Sequence, residues 1–364
     1  MQLRQLPDSS GAAHPVFIES MEDDMRKQRS VTQARQRVTY VAVIAVFALS
    51  AWQLSQQRRG SAAVAPPTPA TSPKTTTALD HTKASSDDSI TQRNLEVIRT
   101  YKHMMEDFAQ DGLDPQALLN LEPWFYTSPD GTRQPRRYSN FTFPLPPASV
   151  RLLVIPLSDS PEMATAGASI TDSILELLPA GCQVYVNAGT QYHCTVFHTS
   201  HPMDPRPDAT LADGGVDLTL SPAQRRPPTD AELSEELSLV RALVSSQAPP
   251  ALQVERILLS RTGTLLITWV DTTRQVEALR AACNLTFPGA PRKQASIIHT
   301  TLLRVVSGAE LLTQELITPI QAELDVWTTK LRGSVYTPSG LWYVIEDEFS
   351  TLHGTTDILL SKDE

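Results

Sequence analysis

The sequence predicts an α+β domain of two similar lobes that follows a single membrane-spanning helix. Three observations indicate this arrangement: an uncharged apolar stretch at Val38–Leu54, a low-complexity segment after it, and two strand–helix–strand units that each end in a histidine-bearing strand. The chain has 364 residues, enough for one large domain or two ordinary ones. Its 41% of hydrophobic residues is enough to fill a packed core.

The N-terminal region has the charge pattern of a membrane anchor. A helix over Val38–Leu54 would be about 25 Å long, which suits a thin membrane of the early secretory pathway. More basic residues precede this stretch than follow it, so the positive-inside rule keeps the N-terminus cytoplasmic. We therefore expect a single-pass type II protein of the endoplasmic reticulum or Golgi. Residues 1–37 form its cytoplasmic tail, and residues 38–54 form its signal anchor.

The rest of the chain divides into a stalk and a folded domain. Residues 55–90 are rich in Pro, Ala, Ser and Thr, a composition that cannot bury a core, and we expect a disordered stalk. Residues 91–364 form the luminal domain. Two glycosylation sequons, at Asn140 and Asn284, fit a luminal location, although such tripeptides are common by chance.

Composition limits the partners of this protein. A net charge of −9 argues against binding to long nucleic acids, but one local positive site for a small phosphate ligand is compatible with it. The three cysteines match no zinc spacing, and we expect small buried residues. The expected partners are a small substrate and the membrane, and the oligomeric state stays open.

Periodicity and turn signals predict the elements of the first half of the domain. They are a helix over 91–110, a polar loop over 127–148, a strand at 149–157, a helix near 164–178, and strands in CQVYV and YHCTVFH. A long irregular segment, 200–228, follows.

The second half begins with a capping box, Thr229 to Glu232, which opens a helix. The other predicted elements are a hairpin around 261–263, a helix near 272–283, the strand SIIHTTLLRVV, a helical region over 309–331 kinked at Pro319, and a hairpin over 334–348.

The two strand–helix–strand units form a weak internal repeat. One ends at His193 and the other at His299, and each histidine has a threonine two positions later, Thr195 or Thr301. Residues i and i+2 of a strand share a face, so each pair points in one direction. Four of the eight histidines fit the pattern His-x-Ser/Thr, but the other two, His198 and His353, precede a Pro-rich loop or lie in a polar turn.

The runs HCTV (193–196) and HTTL (299–302) resemble the paired motifs of the two-histidine phosphoesterase superfamily. The longer run QYHCTVFHTSHPMDPRP is similar to plant-type members described as RNA ligase/cyclic nucleotide phosphodiesterase proteins. The resemblance covers about residues 149–347. It implies a duplicated, bilobal α+β fold with antiparallel sheets around a central cleft, and a cyclic phosphodiesterase activity.

The residue types suit that chemistry. One neutral and one protonated imidazole serve as general base and general acid near neutral pH, which gives His193 and His299 catalytic roles that the sequence leaves unassigned between them. Thr195 and Thr301 are the expected phosphate-binding residues. We expect no metal and no other cofactor.

Other interpretations stay open. A catalytically silent module that binds a phosphorylated ligand fits the same motifs. A Golgi-type glycan-modifying enzyme fits the anchor and stalk, although the Asp-x-Asp metal motif of many such enzymes is absent. Several polar or aromatic residues near the motifs have plainer roles in loops or the core: His198, His201, Arg206, Arg292, Lys293, Tyr192 and Trp342.

Overall fold

In the part of the chain that the structure describes, nine strands form one antiparallel sheet and two more form a small ribbon. The structure is a computed structural model, and it describes residues 84–201, 204 and 206–360. The helices are α1 (Ala84–Asp111), α2 (Pro115–Leu121), α3 (Pro161–Leu177), α4 (Asp230–Ser245), α5 (Gln275–Thr286) and α6 (Gln314–Leu331). The ribbon strands are β1 (Phe125–Thr127) and β2 (Arg133–Pro135). The sheet strands are β3 (Val150–Pro156), β4 (Gln183–Val186), β5 (His193–Ser200), β6 (Leu252–Leu259), β7 (Thr264–Asp271), β8 (Ile298–Ser307), β9 (Val335–Tyr336), β10 (Gly340–Glu346) and β11 (Gly354–Leu360).

The sheet has the order β11–β10–β3–β5–β8–β7–β6–β9, and β4 pairs with the second half of β8. The histidine-bearing strands β5 and β8 lie next to each other at its centre. The next strands outward are β3, which pairs with β5, and β7, which pairs with β8. In the chain, β3 and β7 begin the two strand–helix–strand units that end in β5 and β8. The chain therefore has a mixed α/β fold with antiparallel pairing, as predicted.

The two faces of the sheet are covered differently. Helices α3 to α6 pack on one face and bury the largest apolar core. On the other face, Tyr101 of α1 packs against Leu258 and Leu266 at one end. Tyr138 packs against Leu152 of β3 in a separate cluster at the other end. Between these two covers, several side chains of β5 and β8 stay half-buried, which leaves a cleft at the centre of the sheet.

Two local predictions from the sequence, the capping box and the β-hairpin turn, are confirmed. Thr229 and Glu232 form the predicted capping box, in which each side chain accepts from the other residue's backbone N–H. The predicted hairpin joins β6 and β7 through Gly263, whose φ of 77° is left-handed. A Cβ at this glycine would lie 2.7 Å from the Val305 carbonyl oxygen, so a larger residue would not fit.

The C-terminal hairpin prediction is wrong. Val335–Tyr336 pairs with β6, whereas Gly340–Glu346 pairs with β3 and β11 near the opposite edge of the sheet. Alternation of apolar residues identifies a strand but not its partner, which is why the sequence misled here. Helix α6 continues through Pro319, and all three cysteines are free.

The predicted anchor, Val38–Leu54, and residues 55–83 of the predicted stalk lie outside the described residues. Residues 84–90, which were expected to belong to the disordered stalk, form the start of α1 instead. Among the described residues, no helix is both long and apolar enough to cross a membrane.

Candidate active site

Strands β5 and β8 meet at one residue pair, Cys194 and Thr300. Both side chains point to the helix-covered face, where Cys194 Sγ and Thr300 Oγ1 lie 3.2 Å apart. The Trp269 Nε1–H also donates to Thr300 Oγ1, at 3.1 Å. Because side chains alternate along a strand, the residues on either side of this pair point into the cleft on the opposite face.

Four cleft-facing side chains, which we call the His/Thr square, surround this pair. Antiparallel pairing sets His193 opposite Thr301, and Thr195 opposite His299. Directly opposed Cβ atoms lie about 5 Å apart in a sheet, and diagonal ones about 7–8 Å. By this register, the two imidazoles occupy one diagonal of the square and the two hydroxyls occupy the other.

The two strands separate on both sides of the square, which keeps it open. On one side the Arg280 guanidinium occupies the gap and donates to three carbonyl oxygens at 3.0–3.2 Å, those of Thr195, Val196 and Ile297. On the other side Asn187 replaces β5 as the partner of β8. Its backbone N–H bonds to the Leu302 carbonyl and its Nδ2 to the Thr301 carbonyl, both at 2.9 Å.

Strand β5 carries an extra residue directly after the square, and a second one, Thr199, near its end. Thr195 and Phe197 pair with consecutive residues of β3, so Val196 has no partner there. Such a β-bulge changes the alternation of the residues that follow it. Val196 and Phe197 both enter the core, and His198 returns half-buried to the face of the square.

Strand β8 has the same irregularity at the same place in its motif. Thr301 and Leu303 pair with consecutive residues of β7, so Leu302 has no partner there. Leu302 and Leu303 are buried in the core, and Arg304 turns to the face of the square. The runs HCTVFH (193–198) and HTTLLR (299–304) thus fold alike, with His198 in the place that Arg304 takes in the other strand.

The surroundings of these imidazoles keep them neutral at pH 7. Burial lowers the pKa of His193 to about 4, and the charge of Arg304 also opposes its protonation. Burial lowers the pKa of His299 to about 3, with further effects of Arg304 and His193. Burial likewise lowers the pKa of His198 to about 3 and that of His201 to about 4.

The two imidazoles of the square differ in their hydrogen bonds. His193 Nδ1 lies 2.8 Å from the Gln191 carbonyl oxygen, so this nitrogen carries a proton and Nε2 is left for a ligand. His299 Nδ1 is buried and has no hydrogen-bond partner among the described residues. A carbonyl acceptor stabilises an imidazolium, and only His193 has one at this nitrogen.

Arg304 brings a permanent charge to the cleft. Its Nη1 donates to Thr264 Oγ1 at 3.1 Å, its Nη2 donates to Ser350 Oγ at 3.2 Å, and its guanidinium lies 5.1 Å from the Phe349 ring centroid. Its buried Nε has no partner within the described structure. Burial lowers the pKa of Arg304 to about 10, so the side chain stays positive at neutral pH.

The structure brings all four predicted site residues together, but it contradicts one prediction about their surroundings. We expected His198 to lie in a loop. Instead, β5 continues to Ser200, and the bulge at Val196 turns the His198 side chain into the cleft. Tyr192 is buried in the main core, as expected, and His353 is exposed and 3.6 Å from Glu348.

Sequence reasoning missed several residues that shape the site: Arg304, Arg280, Asn187 and Gln191. For Arg304 a signal exists, because both motifs continue with two apolar residues and a basic or imidazole side chain. Arg280 and Asn187 bond to backbone atoms of distant segments, so no local pattern identifies them. Gln191 acts through its backbone carbonyl, which every residue type has, so its side chain gives no signal.

Two further features of the described residues bear on earlier expectations. No group of three or more His, Cys, Asp or Glu side chains there could hold a metal ion. Asn140 and Asn284 are both exposed, and their glycosylation stays a prediction.

Solved structures that resemble the chain include a conserved protein of unknown function from Agrobacterium tumefaciens. It is 18% identical, the match covers 65% of this chain and 96% of that one, and the TM-score is 0.39. Usb1 from Kluyveromyces marxianus is 7% identical over 59% of this chain and 99% of its own, with a TM-score of 0.36. The structure of the same Usb1 with uridine monophosphate is 6% identical over 58% of this chain and 99% of its own, with a TM-score of 0.36.

No model of a known protein family matches the sequence, and no curated protein matches it. The function proposed below therefore rests on the geometry of β5 and β8 and on the motifs that they carry.

Proposed function

We propose that this protein is a phosphodiesterase that opens a 2′,3′-cyclic phosphate, or a related cyclic phosphate, by acid–base catalysis at His193 and His299. The His/Thr square carries this proposal, because it puts two imidazoles and two hydroxyls on one open face of adjacent strands. The resemblance of both motifs to two-histidine phosphoesterases supports the same reaction.

The reaction needs two proton transfers on opposite sides of phosphorus. A neutral imidazole accepts a proton from water as the water oxygen bonds to phosphorus. An imidazolium gives a proton to the sugar oxygen as its bond to phosphorus breaks, which leaves a phosphomonoester and a free hydroxyl. A phosphate between the rings of the square reaches both nitrogens, since each hydrogen bond spans about 3 Å.

The two histidines suit different roles. His193 is the general acid, because the Gln191 carbonyl stabilises its protonated form. His299 is the general base, because its buried Nδ1 has no acceptor for a second proton among the described residues. The negative phosphate of a bound substrate favours the imidazolium, so substrate binding itself raises the population of protonated His193.

The remaining groups bind the phosphate. Thr195 and Thr301 donate their hydroxyl hydrogens to the nonbridging oxygens. Arg304 supplies the positive charge, and its Nε–H is a donor that an anion could satisfy. None of these groups has to transfer a proton, so their loss should weaken the reaction less than the loss of either imidazole.

We also propose that the domain is a duplicated, bilobal structure of this superfamily. On each side of the β5–β8 junction the neighbouring strand, β3 or β7, precedes the histidine-bearing strand in the chain, and the bulge follows the same residue of each motif. In this view each lobe contributes one histidine, one threonine and one further cleft residue.

Activity measurements on the full-length chain in mild detergent test the reaction. We expect hydrolysis of a 2′,3′-cyclic nucleotide that EDTA leaves unchanged, and a loss of about 10²–10⁴ in rate for His193→Ala or His299→Ala. His353→Ala is the matched control, because it fits the same sequence pattern outside the cleft. An inactive wild type that still binds phosphate would favour the silent binding module, and one that binds none would leave neither interpretation standing.

We further propose a type II topology in which the domain lies in the lumen of the endoplasmic reticulum or Golgi. The uncharged stretch at residues 38–54 and its basic N-terminal flank support it. Protease protection of the domain in intact microsomes, together with a mass shift on removal of N-glycans at Asn140 or Asn284, is the expected result. Digestion of the domain without detergent would contradict this topology.

A further inference from the structure

The loop between β10 and β11, residues 347–353, has a strained backbone beside the site. Ser350 and Leu352 have φ values of 62° and 59°, in the left-handed region that side chains other than glycine avoid. Such strain persists only where surrounding contacts hold it, and it is commonly found at functional sites. Contacts from surrounding residues therefore hold the loop in this form, and its place beside the site suggests a functional role.

The buried carboxylate of Glu346 holds this loop. Its Oε1 accepts from the Thr351 N–H at 3.1 Å and from the Leu352 N–H at 3.2 Å. Its Oε2 accepts from the Tyr138 hydroxyl at 2.7 Å. Glu346 is 5% exposed, so these three bonds form away from water, where each is difficult to replace.

The same loop forms one wall around Arg304. Ser350 Oγ accepts from Arg304 Nη2, and the Phe349 ring lies against the guanidinium. Phe349 is itself held by Trp124, with ring centroids 4.8 Å apart. Two side chains that contact the Arg304 guanidinium thus belong to a loop whose shape depends on Glu346. Thr264 of β7 also bonds to it, and Tyr185 of β4 is the partner of Arg304 across the strands.

We propose that Glu346 is a positioning residue for phosphate binding: it fixes loop 347–353 in its strained form, and the loop directs Arg304 toward the His/Thr square. The proposal rests on the proposed function. Arg304 is charged at neutral pH, and Glu346 hydrogen-bonds to the loop, so we expect Glu346 to act through the position of the guanidinium.

Binding of inorganic phosphate to four forms of the full-length protein tests this inference: wild type, Glu346→Ala, Arg304→Ala and the double variant. We expect Glu346→Ala to weaken binding about tenfold, within the range for coupled neighbours, and to have almost no further effect once Arg304 is gone. Equal losses in both backgrounds would mean that Glu346 supports the fold in general, and would overturn the proposal.

Two more variants keep the test informative if Glu346→Ala unfolds. Glu346→Gln retains an oxygen for the two backbone N–H groups and an amide that donates to the Tyr138 oxygen, so it should bind phosphate within about threefold of the wild type. Ser350→Ala leaves Glu346 in place but removes the loop's hydrogen bond to Arg304, and it should weaken binding. Unchanged binding by Ser350→Ala would contradict the role of the loop.

Crystal structures separate a failure of this inference from a failure of the proposed function. If the wild type bound no phosphate and opened no cyclic phosphate, the function would be wrong. The structure of Glu346→Ala should still show loop 347–353 and the Arg304 guanidinium displaced together. An Arg304 that kept its place while the loop moved would overturn the positioning role on its own.

Discussion

Strands β5 and β8 carry the same His-x-Thr motif and the same bulge, yet their histidines lie in different surroundings. His193 bonds to the Gln191 carbonyl through Nδ1, whereas the equivalent nitrogen of His299 is buried without a partner in the described structure. The residue that the bulge returns to the cleft is His198 in one strand and Arg304 in the other. The two backbones are alike, and the charges and hydrogen bonds around them are not.

In the proposed reaction, this difference lets two similar strands support two unlike steps. Equal surroundings would give the two imidazoles equal affinity for protons, and neither would be specialised as acid or base. The charge of Arg304 opposes protonation of both rings, so the carbonyl acceptor at His193 is what favours the proton there. Each prediction below tests one part of this asymmetry.

The largest expected effect separates the two histidines by the leaving group. On a cyclic phosphate, both His193→Ala and His299→Ala should lose about 10²–10⁴ in rate. On a phosphodiester with a nitrophenolate leaving group, which needs no general acid, His193→Ala should recover to within about tenfold of the wild type. His299→Ala should stay impaired, because the attacking water still needs a general base. The opposite pattern of recovery would reverse the assigned roles.

The next effect is a loss of stability in acid. Four cleft imidazoles have a pKa of about 3 to 4 in the folded protein, below the usual 6.5 of an unfolded chain. As the pH falls, the unfolded state therefore binds protons before the folded state does. The contribution of these imidazoles to the free energy of unfolding is fully present above pH 6.5 and is lost as the pH drops toward 4. Each imidazole contributes at most about 1.4 kcal/mol per pH unit.

Denaturant unfolding between pH 7.5 and 4.5 measures this slope. His299→Asn should make it shallower by about one proton. A free energy of unfolding that stayed constant over this range would show that the rings are accessible to water and not depressed in pKa.

In the same pH range, log kcat/KM should fall with rising pH, because protonated His193 becomes scarce in the free protein.

A smaller effect distinguishes the two residues at the bulges. Arg304→Ala removes the permanent charge and should lower kcat/KM by about 10²-fold, in keeping with the loss of a charged hydrogen bond of about 1.5–3 kcal/mol. His198→Ala removes a ring that is neutral at pH 7 and should cost less than about tenfold. Equal losses would mean that the asymmetry of the two strands does not matter for the phosphate.

The smallest effect concerns the hydroxyls of the square. Thr195→Ala and Thr301→Ala should each lower the rate by about tenfold or less, because other donors to the phosphate remain. Thr→Ser variants should stay close to the wild type, since they keep the hydroxyl. A loss as large as that of a histidine variant would assign a proton-transfer role to the threonine.

The sequence by itself determined the features that depend on near neighbours along the chain. The two-residue period of a strand put each histidine and its threonine on one face, and the Thr229–Glu232 capping box and the Gly263 turn were equally local. Even the similarity of the two motifs was visible without a structure. Each of these features is set by backbone geometry within a few residues.

Only the tertiary structure decided which groups surround the square. Val196 and Leu302 are extra only relative to their partner strands. The two apolar residues before His198 and Arg304 are visible in both motifs, but only the pairing shows that they form a bulge that turns these side chains into the cleft. Arg280, which bonds to both β5 and β8, and the loop that Glu346 holds act across the fold in the same way. Register and burial arise from the packing of segments distant in sequence, and the pKa values of the site follow from that packing.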